Sequence, residues 1–210
     1  MIVVDPRWQP LADIDKLATA RRFRPYAGWH GDYRGLTPGQ MRSAEYRPVF
    51  QQSREEFLAL CELLIRRNLR GRALQIGLGR PGGTHAAFSL LFGEVWTIEH
   101  DAATVAAYPR RWLERPHFIV GDSHSAAALE IAGEHAPYDF LFLDGDHSYE
   151  GAAADYRNYV PLVRPGGLIA FHDALLRFDY PEIAVHRLLA KLPRVSMIGT
   201  EIGIAWTEKT

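Results

Sequence analysis

Two apolar runs of strand length each end in a cluster of acids and histidines, and this pairing constrains the fold more than any other feature of the chain. The first covers residues 138–144 (Tyr-Asp-Phe-Leu-Phe-Leu-Asp) and continues into Gly145, Asp146, His147, Ser148, Tyr149 and Glu150. The second covers residues 166–171 (Gly-Gly-Leu-Ile-Ala-Phe) and closes with His172 and Asp173. One helix length of sequence separates them, the pattern of a βαβ unit whose strands are parallel neighbours. Such strands lie about 4.8 Å apart, so residues at their C-terminal ends can meet around one small object. Ligands of open α/β sheets bind at those ends. The expectation is that Asp144, Asp146, His147, His172 and Asp173 share one rim.

The same alternation runs through most of the chain. Ser53-Arg-Glu-Glu56 matches a capping box ahead of an apolar-periodic run at 57–69. Strands are expected at 73–76, 95–98, 118–120, 140–143 and 168–171, and helices at 84–92, 101–113, 125–132, 150–162 and 180–192. Two further strands, 195–198 and 202–206, flank a short turn at Gly199. This order predicts an α/β fold with a mainly parallel sheet and helices on both faces. The last two strands are too close in sequence for a parallel crossover, so the final one should run antiparallel.

Residues 1–50 read differently, rich in Pro, Gly, Arg and aromatics, with a short helix expected at 13–22. They are expected to form an N-terminal arm or lid, with 51–210 as the main domain. Trp8, Trp29 and Tyr33 are expected to cover apolar surface. The arm also favours a homodimer, although oligomeric state is left open. A formal net charge of -1 with mixed signs argues against a nucleic-acid or membrane partner. Cys61, the single cysteine, excludes an internal disulfide and a cysteine-based zinc site. No run approaches the roughly 18 apolar residues of a membrane-spanning helix. A soluble cytoplasmic protein is expected.

After the first strand, Gly77, Gly79 and Gly82 match G-x-G-x-x-G between a strand and a helix, followed by Gly83 and Thr84. Glycines there permit φ > 0 and close backbone approach to a ligand. Glu99 ends the second strand, where a carboxylate can accept from both ribose hydroxyls. Asp122 follows the third strand and suits either an adenine amino group or a helix cap. A dinucleotide and S-adenosylmethionine both suit such a loop. The antiparallel last strand and the acidic rim favour S-adenosylmethionine.

Over roughly residues 72–206 the chain resembles class I S-adenosylmethionine-dependent methyltransferases. It is similar to the subgroup with one strand ending Asp-Gly-Asp-His-Ser-Tyr-Glu (here 144–150) and the next ending Phe-His-Asp (171–173). The resemblance implies a Rossmann-like three-layer sandwich with a seven-stranded sheet ordered 3-2-1-4-5-7-6. It implies a cofactor set of Gly77, Gly79, Gly83, Glu99, His100, Asp122, Ser123 and Asp144. Gln75 departs from the pattern, since many members carry an acid there. The subgroup is similar to metal-dependent O-methyltransferases of the catechol and macrolide-sugar type, which implies Asp144, His172 and Asp173 as ligands of magnesium or manganese. His172 is a second departure, because an oxygen ligand is usual and magnesium prefers oxygen.

Methyl transfer to a small-molecule acceptor, through a hydroxyl oxygen, is the expected reaction. Asp144 with a metal would lower the acceptor pKa, and His147 or His172 would take the proton. Ser148 is expected to cap a helix, and His85, His117, His135 and His186 to be packing residues. Competing readings are a non-haem metal oxygenase built on two histidines and a carboxylate, a nicotinamide dehydrogenase, and a non-catalytic cofactor-binding protein.

Overall fold

The computed structural model describes residues 6–19, 52–79, 82–108, 116–176 and 182–210. The expectations for Trp29, Tyr33 and most of the arm lie outside the described residues. So do parts of the helices expected at 101–113 and 180–192. After a short 3-10 turn come α1 (Gln9–Thr19), α2 (Arg54–Arg66), β1 (Arg72–Ile76), α3 (Gly83–Phe88), β2 (Glu94–Glu99) and α4 (Ala102–Ala107). They are followed by β3 (His117–Val120), α5 (Ala126–Glu134), β4 (Tyr138–Leu143), α6 (Tyr149–Tyr159), β5 (Val163–Phe171), α7 (Val185–Leu189), β6 (Ser196–Ile198) and β7 (Ile204–Glu208).

The strands form one seven-stranded sheet in the order β3-β2-β1-β4-β5-β7-β6. Strands β1 to β5 pair in parallel, and β7 is antiparallel to both β5 and β6. This is the expected Rossmann-like topology. The strand interiors are apolar on both faces because helices cover both. Leu74, Ile76, Leu141 and Leu143 pack toward Ala128 and Ala132 of α5, Tyr159 of α6 and Leu188 of α7. Their strand neighbours Ala73, Phe140 and Phe142 point the other way, toward Ile14 of α1, Phe88 of α3 and the stripe Phe57, Leu60, Cys61 and Leu64 of α2. That stripe has the i, i+3, i+4, i+7 spacing of a helix face turned to a core. No helix among the described residues is long and apolar enough to cross a membrane.

Several element bounds shift, and three local expectations are overturned for a physical reason. Ser53 stands at the start of α2, but its side chain makes no cap bond, so the capping box does not form. Its acid, Glu56, is buried and accepts from the backbone N–H groups of Glu201 at 3.0 Å and Gly203 at 3.1 Å. Two backbone donors in the turn before β7, that of Gly203 buried, outcompete a local reciprocal cap. Helix α3 stops at Phe88 rather than residue 92, where Leu90 and Leu91 donate to Ala87 and Phe88 in tighter i→i−3 turns. Strand β7 begins at Ile204, two residues later than expected. The carbonyls of Ile202 and Gly203 are instead taken by the N–H groups of Leu175 and Ala174, in the loop that follows β5.

Candidate active site

The register brings the loops after β1, β4 and β5 to one level. Ile76 pairs with Leu143, and Leu143 with Phe171. Hydrogen bonding continues one residue further, with Asp144 N–H donating to Ile76 at 3.0 Å and His172 N–H to Leu143 at 3.0 Å. Gly77 has φ +86°, and the space a Cβ would need is filled by the main-chain carbonyl of Asp144. The glycine at this position therefore lets two strand ends touch.

The five expected rim residues lie at one end of the sheet, and four of them crowd together. Asp144 Oδ1 lies 3.4 Å from His147 Nε2 and 3.1 Å from His172 Nδ1. Asp173 Oδ1 lies 3.1 Å from His172 Nδ1, and its Oδ2 lies 2.9 Å from His147 Nδ1. Asp173 is buried and has φ +54°, a conformation uncommon outside glycine that strand ends at functional sites tolerate. Asp146 stays on the rim but outside the cluster: it accepts from Ser148 N–H at 2.9 Å, while Ser148 caps α6 through Gly151 N–H at 3.0 Å.

Burial would lower the pKa of His147, but the facing carboxylates of Asp144 and Asp173 outweigh it and raise it to about 10. His172 is also held well above its ordinary value, with burial opposed by the charges of Asp144 and Asp173. Asp173 and Asp144 are held below the usual carboxylate range, because the two imidazoles, His172 foremost, outweigh burial. Each acid of the cluster thus favours the charged form of the imidazoles beside it, and each imidazole that of the acids. Both oxygens of Asp173 and both ring nitrogens of His172 are sealed from water, yet meet no partner at hydrogen-bonding angles.

Among the described residues, one ligand atom each from Asp144, His147 and Asp173 lie within 4.8 Å of one another, a spacing suited to a metal ion. The sequence expectation named His172 rather than His147 beside the two acids. Two carboxylates and one imidazole form a mixed oxygen and nitrogen set that fits manganese, iron or zinc better than magnesium.

Beside this cluster lies a cleft of about 600 Å³ lined by Gly77, Gly79, Glu99, His100, Asp122 and Ser123, with Asp144, His147 and His172 at its other end. Its size is in the range of small-molecule sites. Glu99 accepts from Leu78 N–H at 3.0 Å and Asp101 N–H at 2.9 Å, with exposed His100 at 3.0 Å. These bonds fix the carboxylate and leave Oε2 a second lone pair for a ligand. Asp122 accepts from His124 N–H at 2.9 Å, and Ser125, not Asp122, caps α5. Gly83 does not line the cleft; it is the buried first residue of α3. Gln75 is buried and latches the loop by donating to the Gly77 carbonyl at 2.6 Å.

Three of the histidines expected as packing residues behave so. His85 is buried against Thr97, and burial, with the charge of His117 adding, lowers its pKa to about 3. His117 and His135 stack on Trp96 at 4.6 and 3.6 Å. Two buried polar residues at the site carry no sequence signal. Gln52 donates to Asp144 Oδ2 at 3.3 Å, and Asp155 of α6 lies 3.3 Å from His124 Nε2.

Relatives share this arrangement of strands. Demethylmacrocin O-methyltransferase of Streptomyces fradiae is 29% identical over 116 residues, which are 51% of this chain and 28% of that protein. The chain thus spans little more than a quarter of the length of the curated relative it matches. The O-methyltransferase from Bacillus cereus, solved with SAH, superimposes with a TM-score of 0.57 at 19% identity, covering 100% of this chain and 94% of its own. The MycE methyltransferase of the mycinamycin pathway, solved with Mg, SAH and mycinamycin VI, gives 0.56 at 22% identity, covering 73% of this chain and 49% of its own. A family model described as a methyltransferase domain matches residues 57–174, more than half of the chain, and the protein belongs to that family.

Proposed function

We propose that the protein transfers a methyl group from S-adenosylmethionine to a hydroxyl oxygen of a small-molecule acceptor, with a divalent ion held by Asp144, His147 and Asp173. The observation that carries this reading is the position of Asp144. It belongs at once to the cleft that begins at the glycine loop and to the acid–histidine cluster. S-adenosylmethionine supplies an electrophilic methyl group, and a divalent ion supplies Lewis acidity that lowers the pKa of a hydroxyl.

The chain's own residues do the rest. Gly77 and Gly79 let the backbone approach the ligand, Glu99 accepts from ribose hydroxyls, and Asp122 is placed for an adenine amino group. Asp144 and Asp173 hold negative charge where the acceptor enters. His172, if a bound cation displaced its proton to solvent, would be the imidazole placed to accept the acceptor proton. Most of the rate enhancement comes from orientation, which contributes about 7–11 kcal/mol in well-aligned systems. The mixed donor set favours manganese over magnesium, although MycE was solved with Mg.

The test is a calorimetric titration of S-adenosylmethionine into chelator-treated protein, with NAD as control. Saturable binding of S-adenosylmethionine with NAD inert is the expected result. Binding of NAD alone would replace methyl transfer with hydride transfer.

A further inference from the structure

Gln52 is only 3% exposed and lies just ahead of α2, far in sequence from every residue of the rim. Both ends of its amide are engaged. Nε2 donates to Asp144 Oδ2 at 3.3 Å, and Oε1 accepts from the Thr84 hydroxyl at 3.1 Å. The amide can face only one way, because a carboxylate accepts and does not donate. Thr84 is the second residue of α3, the helix that follows the glycine loop.

The consequence falls on Asp144. A carboxylate rotates easily about its last torsion, which is broad rather than three-fold. With Oδ2 tied to Gln52, Oδ1 is left toward His147 and His172, at 3.4 and 3.1 Å. A neutral amide does this without cancelling the charge of Asp144, as a lysine or arginine would. Partners of this kind orient metal-binding carboxylates in many proteins.

We infer that Gln52 is a positioning residue that presents one oxygen of Asp144 to the cation and acceptor, anchored in turn by Thr84. This rests on the proposed metal role of Asp144. It adds a residue outside the family match, which begins at residue 57, to the working parts of the site.

The test uses the full chain, treated with chelator and titrated calorimetrically with manganese(II) and, separately, with S-adenosylhomocysteine. Gln52→Met keeps the length of the side chain and removes the donor, so it guards against a misfolded Gln52→Ala. Both variants should bind manganese ~10–100-fold more weakly than wild type, with S-adenosylhomocysteine affinity essentially unchanged. Thr84→Val should weaken manganese binding in the same direction by less. If wild type takes up manganese and Gln52→Met matches it, the inference is overturned while the metal reading stands. Equal loss of both ligands would also overturn it, since a merely structural role predicts that. No manganese uptake by wild type would overturn the metal reading and this inference together.

Discussion

The carbonyl oxygen of Asp144 occupies the place where a side chain at Gly77 would stand. The cofactor loop and the acid-bearing strand end are therefore in main-chain contact, and Gly77 also holds φ +86°. Gly77→Ala should destabilise the fold by about 1–3 kcal/mol through strain. It should also abolish detectable S-adenosylmethionine binding. Urea unfolding and calorimetry on the same sample check both.

Asp144→Ala should separate the two halves of the site. Glu99, Asp122 and the glycine loop remain, so S-adenosylmethionine should bind largely as in wild type. Metal-dependent turnover should disappear. Full activity of this variant with an identified acceptor would sink the metal role.

Asp155 provides a pH-dependent stability test away from the metal cluster. Burial raises its pKa from 3.8 to about 6, against the lowering influence of Ser123 and His124. A raised pKa means that the folded state holds the proton more tightly than the unfolded chain. The stabilisation is therefore complete below pH 3.8 and is lost as pH rises through about 6. Asp155→Asn should remove that slope, so wild type should lose on the order of 2 kcal/mol relative to the variant between those limits. Paired urea midpoints from pH 4 to 8 measure it; parallel curves would contradict the assignment.

Glu56→Ala should be among the more damaging substitutions outside the site. It strands the N–H groups of Glu201 and Gly203, which Glu56 now satisfies. A loss of about 2–4 kcal/mol is expected, with the unfolding midpoint as readout. Glu56→Gln, which keeps one acceptor, should cost less.

The layering was legible in the sequence because each strand carries its own apolar run and each helix its own stripe. Asp144, His172 and Asp173 were legible because they stop such runs. The left-handed backbone of Asp173 was not, since only the packed loop after β5 imposes it. Gln52 and Glu56 were hidden for a different reason: their partners lie 92 and 145 residues away, and no local spacing encodes such contacts. At Glu56 the local signal pointed elsewhere, to a capping box that two distant backbone donors override. His147 shows the opposite limit. The sequence placed it on the rim, but only side-chain geometry sets it, with the two acids, among the donors spaced for one ion.

The central claim is that the cleft and the cluster are one site. The most direct measurement is the methyl-carbon NMR signal of S-adenosylmethionine, labelled with carbon-13 at the methyl, bound to the protein and titrated with manganese(II). Strong paramagnetic broadening in wild type, absent in Asp144→Ala, is the predicted result. A bound methyl signal left sharp at saturating manganese would show that the ion and the methyl donor do not share a site.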